Sequence, residues 1–269
     1  MSGRLRVFVA TKGHPFQRDA FEAMLWAIGV DPTMVDHPAA AMLMNTEGMR
    51  PYDAVLLYDM PGMDFAVARE ERPTWLAPDP AFKAGFEALL DEGKGIVALH
   101  HALAGWPAWP RYGEWLGGAF RYKPGRFGDR AAADSGYAAD VAYTVARAGV
   151  DHPVLEGIPD RFPLTDELYD CEIEERGAVP LLLRETPVAA EHFRSAMDTV
   201  RKQPDVPRQR RLHPWLGWAK AAGRSPLVYL QPGDGPATYA DPVYRRLVGN
   251  ALHWVASAEA HMWAQGDET

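Results

Sequence analysis

Two hydrophobic periods alternate along the first hundred residues. Leu5 to Thr11 (LRVFVAT) is a β-branched, apolar run suited to a buried strand. Phe21, Met24, Leu25 and Ile28 then fall at i, i+3, i+4 and i+7, the stripe of an amphipathic helix, and Gly29 is a stop signal. Thr33 to His37 reads as a short second strand. Ala54 to Tyr58 (AVLLY) reads as a third, closed by Asp59 and the turn Met60-Pro61-Gly62. Phe82, Phe86, Leu89 and Leu90 mark a helix that Gly93 ends, leading into the strand Gly95 to Leu99. Strands alternating with helices predict an α/β fold with a mainly parallel sheet and helices on both faces.

The second half is less regular. Tyr137 to Ala146 alternates loosely, and Leu168 to Ile173, Val179 to Leu183 and Leu227 to Gln231 read as further strands. Asp241-Pro242 opens the last long helix, Asp as cap and Pro in the first turn, with Val243, Leu247, Val248, Ala251, Leu252 and Val255 as its buried stripe. Between them, Arg201 to Pro214 (RKQPDVPRQRRLHP) carries five basic residues, three prolines and no periodicity. It reads as a solvated loop, with a lid or a contact in a homo-oligomer as the sharper alternatives. No repeat or linker divides the chain, so residues 1–269 are expected to form one domain.

Composition narrows the function classes. A formal net charge of −8 argues against a nucleic-acid or anionic-lipid partner. The one cysteine, Cys171, excludes an intramolecular disulfide framework and a zinc ribbon. No apolar run approaches the length that spans a bilayer. Arg4 and Arg6 interrupt the short apolar run at the start, unlike a signal peptide, so the expected location is cytoplasmic.

In open parallel α/β sheets, ligands sit beyond the carboxyl ends of the strands. Four such ends carry polar groups that a core would not accept unpaired: Lys12-Gly13-His14, Tyr58-Asp59, His100-His101 and the Gly233-Asp234-Gly235 turn. If the strands are neighbours, these groups face one crevice. Each has a plainer reading. A histidine at a strand end is often a satisfied structural residue, Asp59 can cap its own turn, and Trp106, Trp109, Tyr112 and Trp115 can be packing residues rather than a sugar-stacking surface. The adjacent pair is harder to dismiss, because neighbouring residues point to opposite sides and one of the two can look into the crevice.

The residues from Gly95 to Phe120, a strand, a histidine, small residues and then W-x-x-Y-x-x-x-x-G-G-x-F, resemble the ThuA-like (trehalose utilisation) family. The resemblance continues in order through Asp151-His152-Pro153 with Gly157-Ile158-Pro159, through Thr165-Asp166-Glu167-Leu168-Tyr169, and through Pro236-Ala237-Thr238-Tyr239 to Asn250-Ala251-Leu252-His253-Trp254. It implies a class I glutamine amidotransferase-like fold, a flavodoxin-like three-layer sandwich. In those enzymes a cysteine nucleophile stands where this chain has His100. Cys171 is far from that position, so thiol-based glutaminase chemistry is excluded. No G-x-S-x-G supports a serine hydrolase. Many family members have Ser after the strand-end His where this chain has His101.

An imidazole at that turn can transfer protons near neutral pH, ligate a divalent metal such as zinc, or hydrogen-bond a polyol. The candidate catalytic set is His100, His101, Glu167 and Asp59. Lys12, His14, Trp106, Trp109, Tyr112, Asp234 and Tyr239 are the candidate substrate contacts. His100, His152 and Glu167 are the candidate metal ligands. The resemblance implies a sugar or an oxidised keto-sugar as ligand. Three readings stay open: an enzyme that cleaves or isomerises it (a metal-dependent hydrolase among the variants), a non-catalytic sugar-binding or regulatory domain, and an assembly subunit.

Overall fold

The apolar runs become the strands they predict. In the computed structural model, residues 3–185, 193–204 and 212–266 are described. Strands β1 (Leu5–Lys12), β2 (Val30–Asp36), β3 (Ala54–Asp59) and β4 (Ile96–Leu99) are parallel. Helix α1 (Arg18–Ala27) connects β1 to β2 and buries Phe21, Met24 and Leu25. Helix α2 (Pro80–Glu92) precedes β4, burying Phe82, Phe86, Leu89 and Leu90. It is capped by the Asp79 side chain at one end and by left-handed Gly93 at the other.

Strand β5 (Gly136–Arg147) pairs antiparallel with β6 (Arg161–Asp170) and with β7 (Ala178–Arg184). Strand β8 (Trp215–Ala222) joins β7 to β9 (Ser225–Leu230), and β9 lies parallel to β4. Helix α3 (Pro242–Val255) follows, with Asp241 accepting from the Val243 and Tyr244 amides. The sheet therefore runs β2-β1-β3-β4-β9-β8-β7-β5. Its parallel half has the flavodoxin-like order, and its antiparallel half extends the sandwich. Strand β6 begins at Arg161, seven residues before the apolar run at Leu168, and β8 carries no continuous apolar run because Gly217 and Lys220 break it. Lys220 fits because its Nζ donates to the Glu114 carbonyl at 2.6 Å.

One core packs α1 and α3 on one sheet face through Val7, Val9, Leu56, Tyr58, Val97 and Leu99. The other packs α2 on the opposite face through Phe8, Ala10, Val55, Leu57, Ile96 and Ala98. Successive side chains alternate between these two cores, as the pleat requires. Order reverses at β1, flanked by β2 and β3, and polar groups at a switch point can converge on a ligand. Among the described residues, no helix is long and apolar enough to cross a membrane. Residues 205–211 of the basic segment lie outside the described residues. At its start, Arg201 Nε donates to the Arg72 carbonyl at 2.6 Å.

Candidate functional site

Strand β4 ends at Leu99 and the chain turns at once into a single 3-10 segment, His100–Ala104. His100 stands at the bend with φ +39°, the left-handed region that non-glycine residues rarely adopt. Such a conformation costs of order 1–3 kcal/mol and persists only where its surroundings fix it. Here His100 Nδ1–H donates to the Gln231 carbonyl at 2.5 Å, the ring stacks on Tyr169 with centroids 4.4 Å apart, and the His100 carbonyl accepts from Tyr229 Oη at 3.1 Å. Because Nδ1 holds a proton, the tautomer and ring direction are set. The buried Nε2 faces Glu167 Oε1 at 3.6 Å and Asp234 Oδ1 at 3.7 Å. Burial disfavours the imidazolium, but Glu167, then Asp166 and Asp234, outweigh it and raise the His100 pKa to about 9.

His101 is the opposite case. It is buried, and burial together with the fields of His100 and His14 pushes its pKa well below the usual histidine value. Its Nε2 lies 3.5 Å from Asp234 Oδ1 and has no hydrogen-bond partner among the described residues. This approach leaves a ring nitrogen and a carboxylate oxygen facing one point. The His14 ring lies over it, centroids 4.0 Å apart and tilted by 31°. His14 reaches this place through two left-handed residues, Lys12 (φ +92°) and Gly13 (φ +102°). Gly13 is required, since a Cβ there would lie 2.1 Å from the Met60 carbonyl oxygen.

Asp234 is held by a cradle that the sequence reading missed. The buried Asp166 carboxylate accepts from the backbone N–H of Gly233 at 2.6 Å, of Asp234 at 3.2 Å and of Glu167 at 3.0 Å. Burial nevertheless raises its pKa, against the lowering pull of His100 and these amides. Tyr58 Oη donates to the Gly233 carbonyl at 2.7 Å, and Tyr239 Oη donates to the Asp234 carbonyl at 3.0 Å. Gly233 has φ +134°, and a Cβ would meet Tyr244 Oη at 2.3 Å. Asp166 precedes Glu167 in the T-D-E-L-Y stretch, so its position was visible in the sequence although its partners were not.

These groups sit beside a crevice of about 210 Å³ lined by His14, His101 and Glu167, with Phe120, Tyr122, Tyr137 and Tyr169 among its aromatic walls. Among the described residues, two sets of three ligand atoms lie within 4.8 Å of one another: His14, His101 and Asp234, and His100, Glu167 and Asp234. The crevice wall thus combines two imidazoles, one carboxylate and apolar ring surfaces, with His100 Nε2 3.6 Å from that carboxylate and Asp234 Oδ1 3.5 Å from His101 Nε2.

Several expected members lie elsewhere. The Asp59 carboxylate faces His37, with Oδ2 and Nε2 at 2.6 Å, because it follows Tyr58 on β3 and so points to the other sheet face. Lys12, His37 and Trp106 line a second, mainly apolar cavity of about 900 Å³, which shares only Met60 and Phe65 with the first. Trp109 and Tyr112 are core residues packed on Phe82 and Phe86 of α2. Tyr239 positions the Asp234 turn and is itself buried. His152 is not a ligand of this cluster: its Nδ1 accepts from the Val154 amide at 3.2 Å and its ring packs on Trp254 at 4.5 Å. Cys171 follows β6, and the elbow position belongs to His100.

The family model described as "ThuA: Trehalose utilisation" matches residues 5–255. No curated protein matches the chain. Among solved structures, a ThuA-like protein of Parabacteroides merdae is 15% identical, with a TM-score of 0.64, covering 94% of this chain and 90% of its own. A ThuA-like protein of Bacteroides uniformis is 16% identical, with a TM-score of 0.60 and coverage of 94% and 92%. A GMP synthase protein of Thermoplasma acidophilum is 8% identical, with a TM-score of 0.53 and coverage of 98% and 99%. At these identities the likeness is one of fold alone.

Proposed function

The chain belongs to the ThuA (trehalose utilisation) family, and from that premise we propose that it is a carbohydrate-processing enzyme acting on a disaccharide or keto-sugar in the His101–Glu167 crevice. The observation that carries this reading is the gathering of polar groups at one place: His100 Nε2 faces Glu167 and Asp234, and the buried His101 Nε2, which has no hydrogen-bond partner among the described residues, faces Asp234. Buried polar atoms are ordinarily paired, and an unpaired His101 nitrogen close to two carboxylates fits a polar ligand that supplies the missing partner. A sugar ring brings several hydroxyls and an apolar face, which Phe120, Tyr122 and Tyr169 suit. At about 210 Å³ the crevice is smaller than the roughly 300–1,000 Å³ of drug-sized sites and suits a single sugar ring.

In this reading, His100 and Glu167 form the proton-transfer pair. Gln231 fixes the ring through Nδ1, so only Nε2 and the facing carboxylate can exchange a proton with a sugar oxygen. His14 and Asp234, at the accessible side, orient hydroxyls. The stacking surface is therefore made by the aromatics around Phe120 rather than by Trp106, Trp109 and Tyr112.

The test combines thermal melting with product analysis over trehalose, other disaccharides and their 3-keto derivatives. The expected result is a ligand-dependent rise in Tm and product formation by the native protein. Glu167→Gln should keep the rise in Tm and lose the product. Absence of any sugar-dependent rise in Tm would remove the reading, and a rise without product would restrict the protein to sugar binding.

A further inference from the structure

His14, His101 and Asp234 come from two strand ends and one turn, yet place one ligand atom each within 4.8 Å of the others. From this juxtaposition we propose that they form a binding site for a divalent transition-metal ion, Zn²⁺ foremost, whose remaining coordination positions open into the crevice. The proposal does not depend on the sugar reading, since a metal would bind here whatever the substrate.

Donor chemistry favours this class of ion. Two imidazoles and one carboxylate suit zinc and its neighbours in the first transition row, whereas magnesium and calcium prefer all-oxygen shells. The spacing fits as well. Ligands about 2.1 Å from a tetrahedral zinc lie about 3.4 Å from one another, and His101 Nε2 and Asp234 Oδ1 are 3.5 Å apart. The second, independent observation is the setting of His101: it is 2% exposed, and its Nε2 has no hydrogen-bond partner among the described residues. A buried imidazole nitrogen left this way loses its hydration without compensation, and a metal ion would supply the missing interaction.

The supporting residues hold this geometry before any ion arrives. Asp166 and Tyr239 fix the main chain of Asp234 on both sides. Lys12 and Gly13 bend the chain so that His14 lies over His101, and Tyr58 meets the His101 ring edge-on at 5.3 Å. Such outer groups tune the affinity of metal sites and are part of their construction. The alternative triad, His100 with Glu167 and Asp234, is less suited: His100 Nδ1 is committed to the Gln231 carbonyl and its Nε2 faces the Glu167 carboxylate at 3.6 Å.

The test uses the full chain, stripped with chelator, incubated with ZnCl₂, gel-filtered and analysed for metal. Affinity is then measured by competition with a chromophoric chelator, and Co²⁺ substitution reports the geometry by its visible bands. One Zn²⁺ per chain is expected. His14 and Asp234 sit at the accessible rim, so His14→Ala and Asp234→Asn should melt like the native apoprotein. Each should weaken Zn²⁺ binding by more than about 100-fold, beyond the 10–100-fold typical of outer-shell partners. His213→Ala, at a surface histidine paired with Glu175 at 2.8 Å, should change nothing. A native protein that retains no zinc, or the same affinity in both rim variants, overturns the assignment. So does an affinity that falls with Glu167→Gln but not with His14→Ala, since the ion would then belong to the other triad. Sugar-dependent melting of the apoprotein is read separately, and its absence bears on the sugar reading alone.

Discussion

Replacing Asp166 with asparagine tests whether the cluster depends on the cradle beneath it. The native carboxylate accepts from Gly233 N through Oδ2 and from Glu167 N and Asp234 N through Oδ1. An asparagine retains one acceptor oxygen and turns an NH₂ group toward a backbone N–H. Its better orientation keeps the two bonds to Oδ1 and leaves the Gly233 amide buried without an acceptor. Hydrogen bonds to a charged group are worth about 1.5–3 kcal/mol. Burial, which raises the Asp166 pKa, means that the native carboxylate already bears a desolvation cost, and the neutral amide recovers part of it. The net loss should be about 2 kcal/mol, which for a chain of this size lowers Tm by about 4–8 °C. Calorimetry or urea unfolding measures that loss. Because the Asp234 turn is released, Zn²⁺ affinity should fall about 10–100-fold as well, the range for an outer-shell partner. An Asp166→Asn protein that melts like the native one and binds zinc equally well would refute the cradle.

Two further outcomes check the scaffold apart from the site. Asp241→Ala removes the acceptor for Val243 N at 2.8 Å and Tyr244 N at 2.9 Å, and should cost about 1 kcal/mol in unfolding experiments with no change in metal affinity. His152 supplies a pH dependence. Burial lowers its pKa from 6.5 to about 4, so the unfolded chain takes up a proton before the folded one does. Its contribution should be unchanged above pH 6.5, decline as pH falls from 6.5 toward 4, and level off below. That interval is worth about 3 kcal/mol at full value, which screening at the ring's accessible edge reduces to about 2 kcal/mol. Urea midpoints for native protein and His152→Gln between pH 7 and pH 5 isolate it. Parallel curves would contradict the assignment.

The parts of this site that the sequence discloses are those set by strand polarity. Parallel strands end on one rim, so apolar runs ending in His14, His100-His101 and Gly233-Asp234 suffice to bring those residues together. Glu167 comes instead from a motif, because β6 belongs to the antiparallel half of the sheet and obeys no such rule. Asp59 shows where the rim argument stops. It ends its strand at the correct edge, but one residue along a strand reverses the side chain's direction. Tyr58 therefore joins the cluster and Asp59 meets His37. Choosing between those two requires knowing which face α2 covers, information carried by packing rather than by spacing. His152 illustrates a different gap: a D-H-P sequence fits a ligand or a cap equally well, and only its contact with Trp254 decides. Strand β8 was hidden because Lys220 reads as solvent-facing until a partner carbonyl is found for it.

Across all these residues the account depends on three side chains from separate segments sharing one centre. Crystals grown with ZnCl₂ and measured at the zinc absorption edge examine that directly. A single anomalous peak about 2.1 Å from His101 Nε2, from a nitrogen of His14 and from Asp234 Oδ1 is the predicted result. His14 and His101 turned away from Asp234, with any zinc bound elsewhere, would contradict it.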